Sequence, residues 1–339
     1  MKPPFWRFWI SDCAPVIFRI STRISRLGSA LPFGWVCGVA STGRPELHEA
    51  RGMSFVKVAV LNFVVVMGVL LCVNAVLAGP VSWDGRKSES HGGYDKYDFK
   101  FAGKSAWVVV PKKAAPGNPW VWRGRWATFH SGPDRVLLAE GFHIAYFDTG
   151  GMLGCDRALD LWDKFYDFMT KRHGLAKKPV LEAVSRGGLF VFRWASRHPD
   201  RVSCVYADSP VCDIKSWPLG KWKGDHDDTG MRQLGEYYGF DTEDKILAFK
   251  GNPVDTAIIT PIAKARIPVL FLVSGTDRIA PPGENAMVFA ERYKKLGGPV
   301  EFMFVPDGAE TALKGHHFAH PDPKKAAAFM KKYGMPKGK

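Results

Sequence analysis

From residue 141 to residue 306 the chain alternates β-rich runs with segments of helical period, and no other feature limits its fold as strongly. "GFHIAYFDT" (141–149) reads as a strand. "RALDLWDKFYDFMTKRHG" then carries Leu159, Trp162, Phe165, Tyr166 and Met169 at helical spacing and stops at Gly174. "KPVLEAVS" is a buried strand, and "GLFVFRWASRHPD" is a helix that ends before Pro199. "VSCVYADSP" and "IPVLFLVSG" are further strands, "ENAMVFAERYKKLGG" is an amphipathic helix with a glycine stop, and "VEFMFVP" is a last strand. Such alternation predicts an α/β fold, a mostly parallel sheet with helices on both faces, whose ligands collect at the carboxyl ends of the strands. Ahead of it, "YDKYDFKFAGKSAWVVVP" predicts a hairpin around Gly103, and "NPWVWRGRW" a short aromatic strand. Residues 214–264 break the rhythm with glycine, charge and two short helices, so a small lid insertion is expected there, between the sixth and seventh predicted strands.

The motif that carries chemistry is "EAVSRGGLFVF" (182–192), where a strand runs through Ser185 straight into a helix. A nucleophile elbow G-x-S-x-G needs small residues two before and two after the serine, because the turn is too tight for side chains. Here Ala183 and Gly187 fill those places, a pattern shared with ordinary glycine-rich turns; the strand before and helix after are the elbow's setting. A serine hydroxyl needs a histidine to take its proton and a carboxylate to orient that histidine. After an elbow serine the acid comes next in the chain and the histidine last. Asp277, in the loop after "VLFLVSG", is the expected acid, with Asp208 after "VSCVYA" as the alternative. In "ALKGHHFAHPDP" His316 is the expected base, His317 the alternative and His320 a distant third. The backbone N–H of Arg186 and that of Arg123, with Gly124 next, are the expected oxyanion donors. Trp122 and Trp126 then flank an acyl pocket or belong to the core. The Arg186 guanidinium is placed to meet a substrate carboxylate, or else a structural acid.

Composition narrows the alternatives. The net charge is +14, but the lysines and arginines are scattered rather than set in a stripe with stacking aromatics, so no nucleic-acid partner is expected. The histidine cluster and "GDHDDTG" lack the H-E-x-x-H spacing that puts two ligands on one helix face, and no metal is expected. "DTGGMLG" lacks G-x-G-x-x-G, so no nucleotide cofactor is expected. Of 6 cysteines, Cys155, Cys204 and Cys212 lie beyond the N-terminal region, read as three buried thiols. "MSFVKVAVLNFVVVMGVLLCVNAVLAGP" has the makings of an export signal over 53–78, cut before Gly79, or of a membrane anchor through 58–78. Residues 1–52, arginine-rich and without period, are read as an extension ahead of a true start at Met53, with a transit peptide as the alternative. Residues 79–339 are the expected catalytic domain, in a secreted or periplasmic, possible membrane-anchored, protein.

From about Tyr94 onward the chain resembles the α/β-hydrolase superfamily, and within it secreted bacterial esterases of the prolyl-oligopeptidase and dienelactone-hydrolase-like branch. The resemblance is carried by "LEAVSRGGLFVFRWASRHPDRV", "YADSPVCDIKSWP", "NPVDTAIITPIAKARIPVLFLVSGTDRIAPPGENAMVFAERYKKLGG" and "GHHFAHPDP". It implies Ser185 as nucleophile, Asp277 as acid and His316 as base, with two departures: Ala183 where glycine is usual, and an altered context around His316 and His317. The expectation is a serine hydrolase acting on a small-molecule or carbohydrate ester without a cofactor. A prolyl-oligopeptidase-type peptidase and a non-catalytic binding protein on the same scaffold are the alternatives.

Overall fold

A two-residue turn at Ala102-Gly103, both with positive φ, closes the predicted hairpin and starts the sheet. The structure, a computed structural model, describes residues 82–306 and 314–336. The extension, the signal or anchor and the start at Met53 all lie outside the described residues. Among the described residues no helix is long and apolar enough to cross a membrane.

The hairpin is β2 (Tyr94–Phe101) and β3 (Lys104–Val110), and it carries an outer strand β1 (Arg86–Ser90) that the sequence reading did not anticipate. "RKSES" has no apolar alternation to reveal it; an edge strand pairs through its backbone, and charged side chains there discourage further pairing. The remaining strands are β4 (Trp120–Arg123), β5 (His143–Phe147), β6 (Val180–Val184), β7 (Cys204–Asp208), β8 (Val269–Ser274) and β9 (Val300–Val305). In one sheet of 9 described strands the order is β1-β2-β3-β5-β4-β6-β7-β8-β9. The strands from β5 to β9 run parallel, and β1 to β3 are antiparallel to their neighbours.

Both faces of the sheet are covered, as parallel strands require. On one face pack α2 (Asp156–Asp167), α3 (Gly187–Arg197), α6 (Thr256–Lys264) and α7 (Ala286–Lys295); on the other pack α1 (Gly132–Ala139) and α8 (Pro323–Gly334). Helix α2 buries Ala158, Leu159, Trp162, Phe165 and Tyr166, the stripe expected from its periodicity. Trp162 stacks on Trp122 at 4.3 Å, and Trp194 meets Trp122 at 5.2 Å, so Trp122 is core and not pocket. Cys155, Cys204 and Cys212 are free and buried; burial pushes the Cys204 thiol up to about 12.

The predicted insertion follows β7 and precedes β8, one strand later in the count because of β1. It holds α4 (Asp228–Tyr238) and α5 (Glu243–Ala248). It is shorter than expected, because α6 buries Ile259 and Ile262 in the core against α3 and belongs to the helical layer.

Candidate active site

Strand β6 ends at Val184, and the chain turns through Ser185 with φ 52°, a conformation costly for a side chain that branches from L backbone. Three backbone bonds hold that turn. The Ser185 N–H donates to the Asp208 carbonyl at 2.9 Å, and the Ser185 carbonyl accepts from Gly188 at 3.0 Å and Val211 at 2.9 Å. Gly188 is obligatory, since a Cβ there would stand 2.4 Å from the Val211 carbonyl oxygen. Ala183 is tolerated because its Cβ would be 3.7 Å even from a Cβ on Gly187, an ordinary contact. The departure from glycine two residues before the serine therefore leaves the elbow intact.

Asp277 follows β8, and His316 lies beyond β9. His316 Nε2 stands 2.8 Å from Ser185 Oγ, and Nδ1 stands 2.7 Å from Asp277 Oδ2. All three side chains are buried. The other Asp277 oxygen accepts from the backbone N–H groups of Ile279 and Ala280, both at 2.9 Å, which fixes the carboxylate. An acceptor at Nδ1 assigns the ring proton to that nitrogen and leaves the Nε2 lone pair toward the serine. Gly315, with φ +76°, sets the histidine in place: a Cβ there would stand 2.5 Å from the Thr276 carbonyl oxygen.

The alternatives lie elsewhere. Asp208 is paired at 2.5 Å with His130 Nδ1 instead of with His316, and His130 Nε2 meets the Phe318 carbonyl. His317 packs on Phe129 at 4.3 Å and on His316 at 4.5 Å. Burial, with His316 beside it, lowers His317 to about 4. His320 bonds the Tyr206 hydroxyl at 2.8 Å. The expected histidine cluster thus separates into three different environments.

Arg123 does not offer an oxyanion donor. It pairs with Tyr146 of β5 and Glu182 of β6, so its backbone belongs to the ladder, and Gly124 donates its N–H to the Glu182 carbonyl at 2.7 Å. The amide that emerges from the strand is that of Arg125, two residues on; its nitrogen is 3.4 Å from where a Cβ on Gly187 would stand, beside the first turn of α3. Arg186, directly after the serine, opens α3, whose positive end faces the same space.

The Arg123 side chain does something else. Its Nη1 donates to Asp134 at 2.6 Å and to Glu182 at 2.8 Å, under α1. Its Nη2 donates to the Trp126 carbonyl at 3.1 Å and to that of Phe129, which straps the loop after β4 to the sheet. His91 Nε2 lies 3.5 Å from Asp134. Burial and then the neighbouring Asp134 hold Glu182 well above the usual carboxylate range, although Arg123 pulls the other way. Asp134 is also buried, yet Arg123 and His91 hold it below that range. Of the two acids, Asp134 gives up its proton more readily and Glu182 holds it more tightly.

Neither a protein-family model nor a curated protein matches the chain. Solved structures do. One, a 2,6-dihydroxy-pseudo-oxynicotine hydrolase, is 16% identical with a TM-score of 0.51, over 71% of this chain and 68% of that one. Another, a Mycobacterium tuberculosis puromycin-hydrolyzing peptidase, is 16% identical with a TM-score of 0.51, over 69% of this chain and 39% of that one. The acylaminoacyl peptidase of Pyrococcus horikoshii is 17% identical with a TM-score of 0.48, over 76% of this chain. This chain spans 46% of that peptidase and 43% of an acylaminoacyl peptidase in complex with a chloromethyl ketone, less than half of either. The strand order, the elbow after β6 and the first two likenesses agree. The fold is that of the α/β-hydrolases.

In an α/β-hydrolase fold the elbow, the loop after β4 and the loops after β8 and β9 share one end of the sheet, and here they bring Arg125, Ser185, Asp277 and His316 together. The insertion covers that end: Trp217 lies 4.5 Å from the Arg186 guanidinium, Gln233 accepts from Arg186 at 3.3 Å, and Asp225 pairs with Lys314 beside the histidine loop. Arg125, Gln233 and the His130–Asp208 pair were missed in the sequence. "WRGRW" signalled Arg125, but its role depends on where β4 ends, and strand ends are the least legible boundary.

Proposed function

We propose that this protein is a serine hydrolase that cleaves a carboxylic ester through an acyl-enzyme on Ser185. The observation that carries the reading is the continuous line from Asp277 through His316 to the Ser185 hydroxyl, at 2.7 and 2.8 Å. Ser185 Oγ attacks the ester carbonyl as its proton passes to His316 Nε2, and Asp277 stabilises the imidazolium. The tetrahedral oxyanion is received by the backbone N–H groups of Arg186 and Arg125, helped by the positive end of α3. His316 returns the proton to the leaving alcohol as the C–O bond breaks. Water then gives a proton to His316, attacks the acyl carbon and releases the acid, and Ser185 regains its proton. None of these steps calls on a cofactor.

A peptidase is the second reading, favoured by the likeness to the puromycin-hydrolyzing peptidase of Mycobacterium tuberculosis. A fluorophosphonate probe tests both, since it needs only the activated serine. The mature protein should label at Ser185, and Ser185→Ala should abolish labelling and p-nitrophenyl acetate turnover; labelling that survives the substitution overturns the nucleophile. Comparison of p-nitrophenyl esters with aminoacyl p-nitroanilides then separates esterase from peptidase. Carbohydrate esters are the proposed natural class, and acetylated, feruloylated and methylated sugars are the panel to screen. The apolar segment at 53–78 supports an exported enzyme, and the mass of the mature N-terminus tests that.

A further inference from the structure

Beside Ser185 two guanidinium groups converge with too little negative charge to match them. Arg186 lies 4.5 Å from the Trp217 ring and 5.7 Å from the Trp126 ring. Its hydrogen-bond partner among the described side chains is a neutral amide, Gln233 Oε1 at 3.3 Å, and its buried Nε has none. Asp227, whose field reaches Arg186, is engaged in capping α4 through the Gly230 N–H. Arg125 lies 4.6 Å from the same Trp126 ring, and its buried Nε is also without a partner. Arg125 Nη1 makes only long contacts, 3.3 Å to the Tyr146 hydroxyl and 3.4 Å to Asp148 Oδ1, and Asp148 also serves Tyr146 and Gly150. Burial, and then the charge of Arg125, lower the proton affinity of Arg186. Half-buried cations with unused donors are costly until an anion completes them.

We infer that the substrate carries a carboxylate a few bonds from its scissile carbonyl, bound by Arg186 with Arg125 beside it. This rests on the serine-hydrolase reading and names the substrate class of that same site. The charge count selects the ligand. Asp148 set against Arg125 leaves one positive charge, that of Arg186, which a carboxylate monoanion matches better than a dianionic phosphate, and the planar guanidinium fork can hold both carboxylate oxygens. Trp126, whose ring lies 6.4 Å from His317 in the histidine loop, connects this cluster to the triad. Both cations lie against indole rings and are only partly exposed, which strengthens their hold on an anion.

The test uses the full chain and two pairs of esters, each an acid and its methyl-capped neutral counterpart. p-Nitrophenyl hydrogen adipate places the carboxylate on the acyl side, and 4-acetoxybenzoate places it on the leaving group. In at least one pair the acid should show a kcat/KM about ten- to hundredfold higher, expressed mainly in KM, the worth of a charge-assisted contact. Arg186→Gln should bring that ratio close to one, and Arg186→Lys should keep part of it. Arg125→Gln, which leaves Arg186 in place, should reduce the ratio less. Equal or better turnover of the capped ester in both pairs, or a ratio that survives Arg186→Gln, overturns the inference. Calorimetric titration with adipate and with adipamide gives a readout independent of turnover, and only adipate should bind. A chain that labels at Ser185 but prefers neither member loses the anion site alone. A chain that binds adipate selectively but does not label loses the hydrolase reading alone.

Discussion

Two histidine–aspartate pairs stand at the same end of the sheet, and they differ in what the second ring nitrogen meets. His316 has Asp277 on Nδ1 and a hydroxyl, Ser185 Oγ, on Nε2. His130 has Asp208 on Nδ1 and a carbonyl, that of Phe318, on Nε2. A hydroxyl can donate, so the neutral His316 ring is satisfied and still able to take a proton. A carbonyl only accepts, so His130 Nε2 faces no hydroxyl whose proton it could take. The same residue types thus make a hydrogen-bonded line to a serine hydroxyl in one place and a clasp in the other, between β7 and the loop that carries His316. Beside it lies the Arg123 cluster under α1, where Asp134 is lowered and Glu182 raised from the usual carboxylate range.

The sharpest way to break this contrast is to remove each histidine in turn. His316→Ala should lower kcat for p-nitrophenyl acetate on the order of 10⁴-fold or more. His317→Gln and His130→Gln should each change it by no more than about tenfold; a His130→Gln enzyme as dead as His316→Ala would erase the distinction. Next in size, Arg123→Met leaves the Asp134 carboxylate buried without its partner and frees the loop after β4. A loss of about 3–5 kcal/mol in urea unfolding is expected. His130→Gln should cost less, about 1–3 kcal/mol by the same measurement, because the amide keeps an N–H donor that can face Asp208.

The smallest effect sharpens the division between the two acids. Glu182 is raised in the fold, so its contribution to stability is fully present below the unfolded value near 4.5 and is lost as pH rises toward the folded value. Glu182→Gln cannot ionise and should be nearly neutral at pH 4. It should then gain on the wild type by up to about 1.4 kcal/mol per pH unit above 4.5, read from urea midpoints at a series of pH values. A parallel response of both proteins would mean that Glu182 is already ionised in the fold.

The strands, the α2 stripe and the elbow were legible because each is a local pattern: alternation, helical period, or small residues around one serine. β1 was not, since "RKSES" pairs without an apolar face. The lid was read too long because α6, "TAIITPIAK", follows polar sequence directly and shows its membership in the helical layer only through what Ile259 and Ile262 touch. Arg123 was read as a backbone donor because "NPWVWRGRW" does not show where the strand stops, and the ladder runs on through Arg123.

Sequence by itself determined the α/β architecture, the serine at the elbow and a short list of aspartates and histidines that could meet it, because these follow from period, turn sterics and order along the chain. Only the tertiary structure decided which carboxylate meets which imidazole, and that Arg123 braces the sheet while Arg125 and Arg186 face the site. Those outcomes depend on contacts between residues 39 to 188 apart in the chain, and hydrogen-bond partners at such separations are set by how the sheet twists and its helices pack, which no local pattern encodes.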